Sequence, residues 1–197
     1  METEVKTPDF EKMLGDLNGK VLEKAVRRTV SEFKTRGPAQ VTKSITAVYG
    51  IKSADVTAAG KAAKGNARNA GKTTLHGVTV DKIQLVYSGR LLTPTHFSMT
   101  PKKRPTKKKY AVKAAIFKGQ KKALGSSTFL AESGSAGTTE IPFKRTTEKR
   151  YPIEAVKTVS IPQMITNKTA SVDIASRTNE LMRARLEHHI KRLSAKD

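Results

Sequence analysis

The sequence has 197 residues, of which 38 are Lys or Arg and 17 are Asp or Glu, so its formal net charge is +21. Only 37% of the residues are hydrophobic and 5% are aromatic, and Trp is absent, which argues against a large aromatic-lined pocket. Because Cys is also absent, disulfides, thiolate zinc sites and thiol nucleophiles are excluded. No apolar run reaches the roughly 18 residues of a membrane span, so we expect a soluble protein made in a cytoplasm.

The first 64 residues are predicted to be helical. Thr7 and Pro8 suit a helix start, and apolar residues follow at three- and four-residue spacing to about Arg36. We expect Gly37-Pro38 to end this helix, a second helix to cover Ala39–Tyr49, and a third to begin at Ser53 and end near Ala63.

From Thr73 the hydrophobic period changes to two, which predicts three to five mostly antiparallel strands joined by hairpins. The segment Ala58–Lys72 before them has no apolar periodicity and is predicted to be a loop. The strand candidates are Thr73–Tyr87, Arg90–Phe97, Tyr110–Ile116, Thr128–Leu130 and Ile141–Phe143, with turns at Gly119 and Ser133–Gly137.

The helical period returns at Asn167 and predicts a C-terminal helix of about 28 residues, roughly 40 Å long. We expect it to pack across the sheet over part of its length; the alternative is a helix that projects to a neighbouring subunit. The predicted fold class is α+β, with N-terminal helices, a central mostly antiparallel sheet and a long C-terminal helix. One domain is expected, made of a helical part (1–64), a sheet part (73–147), a Pro-containing connection (148–165) and the last helix (166–195).

Positive charge is concentrated in the middle of the chain. Residues 56–131 contain 16 basic residues and one acidic residue, Asp81. The densest run lies in the predicted loop 101–109, and such a field attracts polyanions. The candidate contacts for DNA or for an acidic protein are Lys102, Lys103, Arg104, Lys107, Lys108 and Lys109; the alternative is a solvated loop.

The sequence lacks the residue patterns of common catalytic sites. It contains no P-loop, G-x-G-x-x-G, G-x-S-x-G or H-E-x-x-H motif. Asp81 has no neighbouring carboxylate in the sheet region, and the adjacent His188 and His189 point about 100° apart on a helix. We expect no enzyme activity, no metal and no cofactor.

A distinctive segment runs from Phe143 to Met164 and reads FKRTTEKRYPIEAVKTVSIPQM. It combines a short F-K/R strand, a basic turn, an R-x-P-I-E step and an S-x-P-Q element, and a long helix follows. In this order of parts it resembles the C-terminal signature of the prophage minor tail protein Z family, the tail-completion proteins of tailed phages. Phe129 and the strand Ile141–Arg145 also resemble that family's hairpin. The chain departs from the pattern at Thr158-Val159, where many relatives carry Gly-Pro.

The resemblance implies a virion structural protein at the head-proximal end of the tail, in the head–tail junction through which DNA passes. It implies a homo-oligomeric ring, for which we expect a hexamer. The implied partners are tail terminator, tail tube or connector proteins, and phage DNA in the channel, with no membrane. The basic segment could contact either DNA in the channel or an acidic neighbouring protein. We slightly favour the acidic protein, because a strongly positive channel wall would hold back DNA that must slide through it. The alternative function is a non-specific nucleic-acid-binding basic protein.

The segment 148–165 itself predicts a structural site. Two prolines fix the backbone and make the connection stiff, and apolar residues are spaced through it without a regular period. These residues either clamp the last helix to the sheet, which we favour, or form a rim that meets a neighbouring subunit. The candidates for clamp or subunit interface are Arg150, Tyr151, Pro152, Ile153, Val156, Ile161, Pro162 and Met164.

Overall fold

The computed structural model describes residues 19–58, 72–79, 82–106, 109–133 and 140–195. The helices are α1 (Gly19–Val48), α2 (Ser53–Ala58), α3 (Ile161–Ile165) and α4 (Lys168–Ser194), with a 3-10 helix at Pro94–His96. The strands are β1 (Lys72–Thr79), β2 (Lys82–Ser88), β3 (Ser98–Thr100), β4 (Lys113–Ala115), β5 (Lys122–Ala123), β6 (Thr128–Glu132), β7 (Glu140–Arg145) and β8 (Ile153–Ala155). The predicted α+β class is confirmed.

Helix α1 continues through Gly37-Pro38, so the predicted break at these residues is wrong, and 39–48 belong to the same helix. A proline inside a helix removes one hydrogen bond and costs about 3 kcal/mol. Phe33, Val41 and Ile45 lie on both sides of the proline and are at most 5% exposed. Burying each of these side chains contributes about 1.5–3 kcal/mol, so their combined burial exceeds the cost of the proline. The predicted helix start at Thr7 lies outside the described residues.

Helices α1 and α4 form an antiparallel pair. Leu22, near the start of α1, and Leu193, near the end of α4, pack against the same buried cluster. At the opposite end of the pair, Ile45 and Ile174 share the main core. The predicted C-terminal helix is therefore confirmed, but its packing surface is α1 and not a sheet.

The start of α4 is set by Asn167, whose side-chain oxygen accepts hydrogen bonds from the backbone N–H groups of Thr169 (3.1 Å) and Ala170 (3.4 Å). Two free donors of the first helical turn are thereby satisfied. This is the boundary that the returning helical period predicts.

Within the described residues the strands form three antiparallel sheets and not one central sheet, with the orders β1-β2, β3-β4-β5 and β6-β7-β8. The prediction of a strand at Arg90–Phe97 is wrong, because Pro94 begins a 3-10 helix and strand pairing starts at Ser98. Pro94 has no N–H group to donate to a neighbouring strand.

The turn at Gly119 is confirmed by its φ of 77°, a conformation that favours glycine. Most of the loops expected at 58–72 and 133–137 lies outside the described residues.

The end of α1 is joined to the sheet β3-β4-β5 through Gly50. Its N–H donates to the carbonyl of Ile116 at 2.9 Å, and the flanking Tyr49 and Ile51 form isolated bridges to Phe117 and Phe97. A Cβ atom at position 50 would lie 2.1 Å from the carbonyl oxygen of Ala115. Only glycine permits this approach of helix and sheet.

The predicted irregular connection 148–165 contains two regular elements, β8 and α3. Helix α3 begins with a capping box: the side chain of Ser160 accepts from the N–H of Gln163, and the side chain of Gln163 accepts from the N–H of Ser160. The S-x-P-Q element is therefore a helix start, with Pro162 in the first turn, where its missing N–H costs nothing.

Candidate interaction surfaces

The eight residues predicted as clamp or subunit interface do not form one site. Ile161, Pro162 and Met164 are buried in the core, Ile153 and Val156 are partly exposed, and Arg150, Tyr151 and Pro152 are exposed. Ile161, Pro162 and Met164 therefore belong to the core, and their side chains offer no surface to a neighbouring molecule. The exposed three lie at the end of the β7–β8 hairpin.

Helix α3 fastens the distinctive segment to the rest of the molecule. Ile161 and Met164 have no exposed surface and pack in the main cluster with residues of α1, α2 and α4. Just before α3, the N–H of Thr158 donates to the carbonyl of Leu92 at 2.7 Å, and the hydroxyl of Thr158 donates to the same oxygen at 2.8 Å. The chain is thus held by hydrogen bonds on one side of Ser160 and by apolar packing on the other.

The β7–β8 connection holds an aromatic side chain in solvent. Tyr151 is 64% exposed, and the guanidinium carbon of Arg150 lies 5.7 Å from its ring centroid. The hydroxyls of Thr146 and Thr147 donate to the carbonyls of Pro152 (3.2 Å) and Tyr151 (3.4 Å). Exposed aromatic and Arg side chains on an ordered turn are typical of protein interfaces.

One face of the sheet β6-β7-β8 is apolar and only partly covered. Cross-strand pairing places six apolar side chains on it, each partly exposed: Phe129, Ala131, Ile141, Phe143, Ile153 and Ala155. Phe129 and Phe143 stack with centroids 6.4 Å apart, and the guanidinium carbon of Arg145 lies 5.0 Å from the Phe129 centroid. We call these six residues with Arg145 the aromatic face. On the opposite face, Thr128, Leu130 and Pro142 are buried.

The predicted basic segment is the connection between β3 and β4. Lys102, Lys103, Arg104 and Lys109 are exposed, whereas Lys107 and Lys108 lie outside the described residues. The backbone N–H of Arg104 donates to the carboxylate of Glu140, which attaches this connection to the start of β7.

Two further lysines extend this positive surface onto the sheet. The exposed Lys113 pairs with Thr100, and the ammonium of Lys121 donates to the hydroxyl of Thr100. We call Lys102, Lys103, Arg104, Lys109, Lys113 and Lys121 the basic surface. No Asp or Glu occurs in the sequence from 98 to 131, so these charges have no acidic neighbour within that stretch of chain.

An ionic cluster lies between α1 and α4. The carboxylate of Glu32 is 3.3 Å from Arg185 and 3.4 Å from the Nε2 atom of His189. Burial lowers the pKa of His189, and the nearby positive charges of His188 and Arg28 act in the same direction, while Glu32 opposes them. The lowered pKa favours the neutral imidazole at neutral pH, as expected for a side chain that is buried between two helices.

Within the described residues, no group of three or more His, Asp or Glu side chains is arranged to hold a metal ion. The described helices also include none with the length and apolar character of a membrane span.

The sequence did not predict that Phe129, Phe143 and Arg145 lie on one surface. Their alternation along β6 and β7 is visible in the sequence, but the strand register that joins them is not.

Comparisons of this chain with protein-family models, curated proteins and solved structures return no match.

Proposed function

We propose that this chain is a phage virion structural protein, a tail-completion protein of the minor tail type at the head-proximal end of the tail. In this role it assembles into a ring, without catalytic activity, in the junction through which DNA passes. The proposal starts from the resemblance of the segment Phe143–Met164. Its localisation is accordingly the virion, after assembly in the host cytoplasm.

The observation that carries the proposal is the division of this segment into a buried anchor and an exposed contact surface. Ile161 and Met164 lie fully inside the core, while Tyr151 and Arg150 are exposed at the end of the β7–β8 hairpin. A building block needs this combination, because the surface that meets a neighbour must be fixed to a rigid body. An apolar sheet face that is only partly covered is typical of an interaction site.

The experiment is assembly of particles with and without this chain, followed by electron microscopy and an infection assay. Particles that join heads and tails but deliver no genome support the tail-completion role. Normal, infectious particles formed without the chain refute it.

The second candidate function is non-specific nucleic-acid binding, and the basic surface favours it. Binding through phosphates releases counterions, so the affinity falls linearly on a log–log plot against salt, with a slope of about −0.9 per phosphate contact. We compare the wild type with a variant in which Lys102, Lys103, Lys113 and Lys121 are replaced by Ala. The matched control replaces four exposed lysines elsewhere: Lys43, Lys52, Lys157 and Lys168.

If DNA binds through the basic surface, the slope of log affinity against log salt concentration is shallower in the first variant than in the control. Equal slopes in both variants place DNA elsewhere, and no binding at physiological salt counts against DNA contact.

A further inference from the structure

The aromatic face has the chemistry of a surface that takes an apolar and acidic partner. Its six apolar side chains are partly exposed, and none of them belongs to the three buried clusters of the described residues. Arg145 is the charged side chain that the described strands place on this face, and the carboxylates of Glu132, Glu140 and Glu154 fall on the opposite face. A partner that covers the face must bury apolar surface and bring negative charge to Arg145.

The first 18 residues of the same sequence have that composition. They carry a net charge of −3, opposite in sign to the whole chain, from five carboxylates and two lysines. The apolar residues of this segment recur at three- and four-residue spacing: Phe10, Met13, Leu14 and Leu17. The segment therefore complements the aromatic face in both charge and hydrophobicity.

The described helices give this segment no packing surface next to its origin. It joins α1 at Gly19, and α4 ends at Ser194, opposite the start of α1, since Leu22 and Leu193 pack against the same cluster. The described helix pair thus ends where the segment joins α1.

The aromatic face belongs to a sheet that is joined, through the sheet β3-β4-β5, to the C-terminal end of α1. Helix α1 has 30 residues and spans about 45 Å. Its C-terminal end is hydrogen-bonded at Gly50 to the strand segment after β4, and Leu130 of β6 packs with Met99 and Val112 on that side. The sequence predicts a helix from Thr7, so residues 7–18 would span about 18 Å and residues 1–6 would add at most about 21 Å, which together are shorter than the distance along α1. A second copy can present its aromatic face to the segment without that constraint.

We propose that residues 1–18 of one copy bind the aromatic face of a second copy, so that copies of this chain associate head to tail. The contact joins two different surfaces, and such heterologous contacts close into rings or extend into filaments. In the proposed function, this contact would join neighbouring subunits of the ring. Self-association of the chain in solution does not require a virion.

The test uses full-length variants and sedimentation velocity over a range of protein concentrations. The segment variant carries Phe10→Ser and Leu14→Ser, and the face variant carries Phe129→Ser and Arg145→Glu. Arg145→Glu alone is a second face variant that keeps all six apolar side chains and changes only the exposed charge over Phe129. The control is Val172→Ser on α4, which also removes an apolar side chain, 67% exposed, from the surface. Circular dichroism and thermal unfolding establish that each variant is folded.

We expect the wild type and the Val172 control to self-associate. The segment variant and both face variants lose roughly tenfold or more in affinity, as expected for changes at central interface residues. Mixing the segment variant with the face variant restores a complex of two copies that grows no further, because the mixture contains one intact segment and one intact face.

A wild-type chain that stays monomeric at every concentration up to about 100 µM, the range of weak specific association, overturns the proposal. So does a mixture of the two variants that forms no complex, or variants that associate as strongly as the wild type. The proposed function fails separately, through infectious particles formed without the chain, because that outcome leaves self-association in solution unaffected.

Discussion

Replacing Ile161 by Ala tests whether α3 anchors the distinctive segment to the core. Ile161 has no exposed surface, and the substitution removes three carbon atoms beyond Cβ. At about 0.8 kcal/mol per buried CH₂, the lost transfer free energy is about 2.4 kcal/mol, and the cavity left behind adds to it within the usual range of about 2–5 kcal/mol. For a chain of this size each kcal/mol lowers Tm by roughly 2–4 °C, so we expect a fall of about 4–20 °C.

The matched control is Ile153→Ala, which removes the same three atoms from the partly exposed aromatic face. We expect it to lower Tm by less than half as much as Ile161→Ala, because Ile153 retains contact with water in the folded chain. Both variants are compared by thermal and urea unfolding at a concentration where sedimentation finds monomers, since association itself raises apparent stability. Equal losses in the two variants, or an Ile161→Ala chain as stable as the wild type, would refute the assignment of α3 as an internal anchor.

Three further predictions concern single residues. Gly50→Ala is expected to destabilise the fold by about 1–3 kcal/mol or more in urea unfolding, because the obstacle 2.1 Å from its new Cβ is the backbone oxygen of Ala115; an unchanged urea midpoint would contradict the close approach. Ser160→Ala is expected to cost about 0.5–2 kcal/mol and Ser160→Asp far less, since Asp also caps; equal losses would show that the hydroxyl has no capping role. His189 has a folded pKa below its ordinary 6.5, so the unfolded chain binds more protons near and below that pH, and stability falls as the pH drops from 7.5 to 5.5. His189→Asn should reduce this fall in the urea midpoint, and an identical fall in wild type and variant would show that the titration of His189 between α1 and α4 is not its source.

Local patterns in the sequence predict several parts of this molecule correctly. The apolar spacing after Asn167 gives the last helix within a residue of its observed start, because period and cap both depend on near neighbours. The change of period at Thr73 gives the α+β class, and Gly119 gives a turn. The S-x-P-Q element also has the local pattern of a capping box at the start of α3, although that helix was not among the predicted elements.

Other features depend on residues that are distant in the sequence. Pro38 is a helix breaker by local rules, yet α1 continues because side chains on both sides of it are buried against α4. Ile153 and Ile161 belong to the same apolar series, and only the tertiary structure distinguishes the partly exposed side chain from the buried one.

The composition alone determines the strong positive charge and the exclusion of thiol chemistry, because these properties are sums over residues. The tertiary structure decides which apolar residues remain partly exposed, since burial is a property of the neighbours that folding brings together. The strand register places Phe129, Phe143 and Arg145 on one face of the sheet. A shift of β7 by one residue would turn Phe143 and Arg145 to the other face, away from Phe129.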